Sequence, residues 1–216
     1  MRVLVIGATG TIGRAVPEAL EAGHEVLRGE PGVGGAGMNG EALAGGEVSE
    51  VEAHVRAFFA GHAVEATDAD VRVLTVSPGP RVDSWSYVTV GCSDEEHTGL
   101  RREFIMTGHV RDERFVDLMT MLATYHRTGH PLDVGHSLPI GEPWLPGSRC
   151  DHLLISVPYS HGPALEHAPA LTRILWALPV TPEEIAYRRA HGTEALEQLF
   201  DDHALLPTDP HRESVV

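Results

Sequence analysis

The spacing of hydrophobic and polar residues changes at about residue 47, and this change divides the chain. Upstream, a short apolar strand at residues 3–6 is followed by a helical stretch over 11–22 and a second short strand over 24–27. Downstream, the pattern predicts helices and strands in the order α-β-β-β-α-β-β-α. Because several strands follow one another without an intervening helix, we expect an α+β fold, with a mixed, largely antiparallel sheet and packed helices.

Capping and turn residues set the bounds of the downstream elements. Ser49 with Glu52, and Thr181 with Glu184, form capping-box patterns, and Pro182 takes the first position of the last helix. The predicted elements are a helix capped by Ser49, strands at 71–76, 85–92 and 103–107, a helix over 113–126, strands at 152–157 and 173–180, and a helix capped by Thr181.

A glycine-rich turn follows the first strand. Gly7, Gly10 and Gly13 have the spacing G-x-x-G-x-x-G, and such a turn lets the backbone approach a pyrophosphate at a helix N-terminus. The segment resembles the first βα unit of NAD(P)-binding, short-chain reductase-like Rossmann folds. Under this interpretation an NAD or NADP pyrophosphate would be lined by Gly7, Thr9, Gly10, Ile12 and Gly13.

The residues after this turn do not continue a Rossmann fold. Residues 31–46 contain seven glycines and no periodicity, which is typical of a flexible linker. The chain has no lysine for the catalytic role that such reductases usually give to one. We therefore divide the chain into a βα fragment at 1–30, a Gly-rich linker at 31–46 and a domain at 47–216, and we expect no cofactor. A chain starting at Met38 would contain that whole domain, so residues 1–37 are expected to be an appendage.

Composition excludes several classes of function. The 31 acidic residues outnumber 16 basic ones, all arginine, and the net charge of −15 argues against nucleic-acid binding. No apolar run reaches the roughly 20 residues that a membrane helix needs, and no signal peptide is visible. The two cysteines, Cys92 and Cys150, suit a reducing compartment, and the abundance of Ala, Gly, Pro and Arg favours a bacterial source. We expect a cytoplasmic protein.

Two patterns raise the possibility of catalysis. His126, His130 and His136 lie around one loop, but Gly129 and Pro131 interrupt the helix that a rigid zinc site would need. Ser93 and Asp94 could join a histidine in a nucleophilic triad, although no G-x-S-x-G turn supports this. We therefore expect no metal and no catalytic residues.

A long Pro- and Gly-rich loop follows the second helix of the downstream domain. Arg127 and Arg149 flank this loop and Trp144 lies within it, and both residue types are common at interface hot spots. These three residues are candidates for partner binding. The other interpretation is that Trp144 only pins the loop to the core.

Six segments of the downstream domain resemble the bacterial form of the Suppressor of fused family. They occur in the family's order and span about residues 48–216: the segments are 85–94, 103–107, 125–129, 135–139, 175–184 and 209–216. The resemblance implies a non-enzymatic domain that binds another protein, with a toxin as the candidate partner of an immunity protein. The alternative is an oxidoreductase-like protein that binds NAD(P) through the glycine turn, and a metal-assisted enzyme is a third hypothesis.

Overall fold

The computed structural model describes residues 49–92, 101–128 and 130–216, and the backbone of two short strands near the N-terminus. The glycine turn at 7–13, the linker at 31–46, Met38, and the pair Ser93 and Asp94 lie outside the described residues. In the described part of the chain, no helix has both the length and the apolar character required to cross a membrane.

The described elements number five helices and nine strands. The helices are α1 (Glu50–Phe58), α2 (Glu113–Arg127), α3 (Pro163–Glu166), α4 (Pro182–His191) and α5 (Thr193–Asp202). The strands are β1 (Val3–Leu4), β2 (Val26–Leu27), β3 (Val64–Ala66), β4 (Arg72–Val76), β5 (Trp85–Val90), β6 (Arg102–Gly108), β7 (Ser137–Pro139), β8 (His152–Ser156) and β9 (Arg173–Val180).

Seven strands form one mixed sheet in the order β3-β4-β5-β6-β9-β8-β7. The pair β6–β9 is parallel, and the other five pairs are antiparallel. The predicted α+β fold with a largely antiparallel sheet is confirmed. Strands β1 and β2 pair in parallel with each other, in a separate two-stranded sheet.

Helices cover both faces of the seven-stranded sheet. Alternate residues of β9 point to opposite faces: Leu175 and Ala177 join a core cluster with α2, whereas Ile174, Trp176 and Leu178 join a second cluster. The second cluster is closed by apolar residues of the other four helices. In a strand that is buried on both faces, apolar residues follow one another without alternating polar ones. β9 shows this continuous apolar pattern.

The predicted helix starts are confirmed in atomic detail. Ser49 Oγ accepts a hydrogen bond of 3.2 Å from the Glu52 N–H at the start of α1. At α4, Thr181 and Glu184 form a complete capping box, with Pro182 in the first turn. Each side chain satisfies a backbone donor that a helix terminus would otherwise leave unpaired.

The single helix predicted after Thr181 is wrong, because two helices occupy this stretch. Gly192 separates α4 from α5 at φ 94° and ψ 165°, a conformation open only to glycine. The sequence prediction also omitted β3, β7 and α3, each of four residues or fewer. Such short elements carry too few residues to show a period.

A strained turn precedes β9. Ala170 and Leu171 both have positive φ, 56° and 61°, and the Thr172 N–H donates to the Pro169 carbonyl. This is the backbone of a turn that favours Asn-Gly. Leu171 is 92% exposed, so burial does not compensate the strain.

We expect the double substitution Ala170→Asn and Leu171→Gly to raise the free energy of unfolding by about 1 kcal/mol, because it relieves left-handed strain at two side-chain-bearing positions. Urea denaturation measures the change. Ala186→Gly, on the exposed face of α4, is the matched control and should lower the free energy of unfolding by about 1 kcal/mol. A double variant less stable than the parent would contradict the expectation.

Candidate functional site

Trp144, a predicted partner-binding residue, lies in the core. Its side chain is fully buried, its ring meets Phe115 edge-on with centroids 5.5 Å apart, and its Nε1 donates to Ser148 Oγ at 2.9 Å. Because the indole is enclosed and its polar atom is satisfied, it is not available to a partner in this structure. The geometry agrees with the other interpretation, that Trp144 pins its loop to the core.

The two arginines of the same hypothesis occupy different settings. Arg149 is half exposed and its guanidinium pairs with Glu183 and Glu213, each at 3.1 Å. Arg127 is partly buried on the last turn of α2. Since Trp144 is enclosed, the three residues do not form a shared exposed anchor.

The loop histidines serve structural roles. His126 is buried and its Nδ1 accepts a hydrogen bond from the Leu132 N–H at 2.9 Å. His130 packs edge-on against Tyr125, and burial lowers its pKa. His136 is exposed, and its Nδ1 accepts from the Asp133 N–H. Among the residues that the structure describes, no three metal-ligating side chains form a group that could hold an ion.

One concave feature of the described domain surrounds Trp176. Two adjoining cavities of about 450 and 510 Å³ share Ser160, Trp176 and Pro207, and together we call them the Trp176 groove. One end is lined by residues 79–84 and His161, and the other by α5 and the segment that follows it. Cavities of this size are typical of ligand sites.

Trp176 forms the floor where the two cavities meet. It lies on β9 between Ile105 of β6 and Ser156 of β8, so two strand neighbours fix its position. The side chain is 8% exposed, and its Nε1 has neither exposed surface nor an acceptor among the described residues. A buried N–H without an acceptor costs about 1–3 kcal/mol, so this donor is unusual in a folded protein.

One wall of the groove is acidic. Glu194, Glu197 and Asp201 are spaced three and four residues apart on α5 and therefore share one helix face. Glu197 accepts hydrogen bonds from Ser156 Oγ at 2.6 Å and from the Tyr159 hydroxyl at 3.3 Å. In the described ranges, no arginine or histidine forms an ion pair with any of the three carboxylates.

The negative potential of this wall acts on Tyr159. Burial raises the pKa of its hydroxyl, and the charge of Glu197, its hydrogen bond and the charge of Asp201 raise that pKa further. The tyrosine nevertheless remains 65% exposed at the rim. Its ring is therefore an accessible aromatic surface beside unpaired carboxylates.

His161 closes the other end of the groove. Its ring packs on Phe58 and Phe59, with centroids 6.1 and 6.0 Å away, and its Nδ1 lies 3.0 Å from Ser160 Oγ. The Nε2 atom is buried and has no hydrogen-bond partner among the described residues, although the residue as a whole retains some exposed surface. Burial lowers the pKa of His161 to about 4.

The neighbouring Ser160 and His161 do not form a triad. A general base works best with a pKa near the working pH, and the low pKa of His161 makes its ring a weak base. No carboxylate of the described residues orients its Nε2. The carboxylate wall is instead suited to a cationic group of a ligand, and the unsatisfied N–H of Trp176 to a hydrogen-bond acceptor of the same ligand.

Sequence reasoning did not find this groove. From the sequence alone, Trp176 is placed in an apolar strand and no role is assigned to the carboxylates of α5. The available signal was the only tryptophan in a predicted strand of the second half, together with acidic residues at helical spacing close behind it. The sequence did not indicate that β9 and α5 line the same cavity.

Comparison with known proteins identifies a family to which the chain is similar. Residues 67–213, more than half of its length, match the family model described as Suppressor of fused protein (SUFU). The chain belongs to the SUFU family. The residues of the Trp176 groove all lie within the matched range. The resemblance identified from sequence segments is thereby confirmed.

Solved structures with the same fold include a bacterial SUFU protein. A protein described as a SUFU homologue from Neisseria gonorrhoeae is 28% identical, with a TM-score of 0.71 over 77% of this chain and 95% of that one. A chain of the structure described as the Sufu–Fu complex is 13% identical, with a TM-score of 0.55 over 78% of this chain and 93% of that one, and shares the fold. Among curated proteins, none matches the chain.

Proposed function

We propose that this SUFU-family chain is a non-enzymatic protein-binding domain, and that its partner is a toxin that it neutralises as a bacterial immunity protein. The observation that carries the proposal is the Trp176 groove, with its unsatisfied indole donor and its unpaired carboxylate wall. A family relative crystallised as a Sufu–Fu complex supports a protein as the partner, and a relative from Neisseria gonorrhoeae supports a bacterial setting.

Binding accounts for the groove better than catalysis does. Chemistry on a bound substrate requires a nucleophile or an acid–base group with a matched pKa. The titratable groups that line the groove are the three carboxylates of α5, Tyr159 at the rim, Arg81 and Asp83 at the other end, and a histidine whose pKa lies near 4. NAD(P) binding at Gly7, Gly10 and Gly13 stays the alternative, and those residues lie outside the described ones.

Co-expression with the products of adjacent genes tests the proposal. Each neighbouring gene is expressed in a bacterial host with and without the full chain, and growth is recorded. We expect one product to arrest growth alone and to be harmless with the chain, and the purified pair to co-elute as an equimolar complex in size-exclusion chromatography. Growth arrest that the chain never relieves, with no co-eluting pair, would contradict the proposal.

A further inference from the structure

We propose that the Trp176 groove binds an arginine of the partner, carried on an extended segment, with its guanidinium against Glu197 and Asp201. This inference rests on the proposed function and names the chemistry that the groove recognises. It commits to a cationic polypeptide segment as the occupant. Its support comes from the charge, the aromatic surfaces and the unsatisfied donor of the groove.

The charge of the α5 wall favours a cationic group. Three carboxylates on one helix face repel each other, and no arginine or histidine of the described residues forms an ion pair with them. Each oxygen of Glu197 already accepts one hydrogen bond, from Ser156 or Tyr159. Because a carboxylate oxygen has two lone pairs, both oxygens can still accept from a second donor.

The aromatic surfaces favour arginine over lysine. A guanidinium is planar, donates to a carboxylate through two N–H groups and stacks on aromatic rings, whereas an ammonium is a hydrated point charge. Trp176 and the exposed Tyr159 line the same cavity as Glu197 and Asp201. Stacking on such a ring while pairing with a carboxylate requires the arginine geometry.

The unsatisfied indole donor favours an extended backbone around that arginine. Trp176 Nε1 needs an acceptor, and a peptide carbonyl is the acceptor that every segment supplies. Because this nitrogen has no exposed surface, the groove must widen slightly before a carbonyl reaches it. Binding is therefore expected to change the environment of the Trp176 indole directly.

A second copy of the chain is a poor occupant. Its net charge of −15 repels an acidic wall. The arginines placed in ion pairs, such as Arg212 with Glu184 and Arg102 with Asp133, are already neutralised. A basic segment of another protein is thus the complementary partner.

The test follows the tryptophan indole N–H signals of the isotope-labelled full chain by NMR during peptide titration. The chain has three tryptophans, so Trp176→Phe identifies the signal of Trp176 by its loss. The probe is the blocked peptide Gly-Arg-Leu-Arg-Gly, and the controls replace both arginines with lysine or with glutamate. We expect the arginine peptide to shift the Trp176 signal saturably, the lysine peptide to bind about tenfold more weakly, and the glutamate peptide to cause no shift.

Charge variants of the protein complete the test. The double substitution Glu197→Gln and Asp201→Asn should lower the affinity for the arginine peptide at least about tenfold. Asp70→Asn, which neutralises an exposed carboxylate at the β3–β4 turn, should leave that affinity unchanged. An unshifted Trp176 signal, or equal binding of the arginine and glutamate peptides, would overturn the inference. If an equimolar toxin complex survives the double substitution unchanged, the proposed function stands and this inference fails.

Discussion

Arg212→Met is expected to lower the free energy of unfolding by about 3–5 kcal/mol, because it leaves a buried carboxylate without its counter-charge. Glu184 is fully buried, and its two carboxylate oxygens each accept a hydrogen bond of 2.7 Å from the guanidinium. Burial opposes the charge on Arg212, but the hydrogen bonds and charge of Glu184 raise the net pKa of the guanidinium. The guanidinium therefore stays charged in the core.

The same guanidinium connects three parts of the fold. Arg212 also donates to the Pro179 carbonyl on β9 at 2.9 Å. Glu184, in turn, accepts from the N–H groups of Thr181 at 2.9 Å and Val215 at 3.2 Å. Loss of the guanidinium should thus loosen the C-terminal segment and the start of α4 together, and amide hydrogen exchange in both should accelerate.

Urea denaturation of the parent and two variants measures the effect. Arg149→Met is the matched control: it removes an arginine that also pairs with two glutamates, but all three side chains are at least half exposed. It should cost less than about 1 kcal/mol. If Arg212→Met is no more destabilising than Arg149→Met, the buried pair does not stabilise the fold more than an exposed one.

Acidification from pH 6.5 to 4 is expected to cost the fold up to about 3 kcal/mol through His161 alone. The pKa of this histidine is about 4 in the folded chain, below its ordinary value of 6.5. Between these two pH values His161 is protonated in the unfolded chain but neutral in the folded chain. The free energy of unfolding therefore falls as the pH falls. Below pH 4 both states bind the proton, and this contribution stays constant.

His161→Phe isolates this contribution. Phenylalanine keeps the packing on Phe58 and Phe59 without a titratable nitrogen, so stability should depend less on pH within that window. Carboxylates with lowered pKa, such as Asp133 paired with Arg102, also lose stability as the pH falls, but equally in both proteins. His167→Gln, which replaces an exposed histidine of the same region, is the matched control. Identical slopes for the parent and His161→Phe would refute the assignment.

Local signals in the sequence predicted most of the fold. Ser49 and Thr181 mark helix starts because the capping side chain and the backbone N–H that donates to it are only three residues apart. The apolar face of α2, with Phe115, Leu118 and Leu122 all buried, follows from helical spacing. These features depend on residues that are close in sequence, so they can be predicted without a structure.

The candidate site depended on contacts between distant residues. Glu197 reaches Ser156 across 41 positions, and Trp176 meets Ile105 across a strand pair that no local pattern specifies. Trp144 is a second example. The composition of its loop predicts an exposed side chain, yet Ser148 accepts a hydrogen bond from its nitrogen and Phe115 covers its ring. Composition of a loop indicates polarity, but not which of its side chains turns inward.

The parallel pairing of β6 with β9 joins two halves of the seven-stranded sheet, and within each half every strand pairs with its neighbour in sequence. Strands β3 to β6 pair with their sequence neighbours, as do β7 to β9, so only this pair links the halves within the sheet. A chain cut between α2 and β7 would therefore give two fragments, each retaining its own hairpins, that can reassociate along one strand edge. The Trp176 groove takes Arg81 and Thr107 from the first fragment and Trp176 from the second. A ligand in the groove would hold such fragments together, which makes fragment complementation a reporter of occupancy.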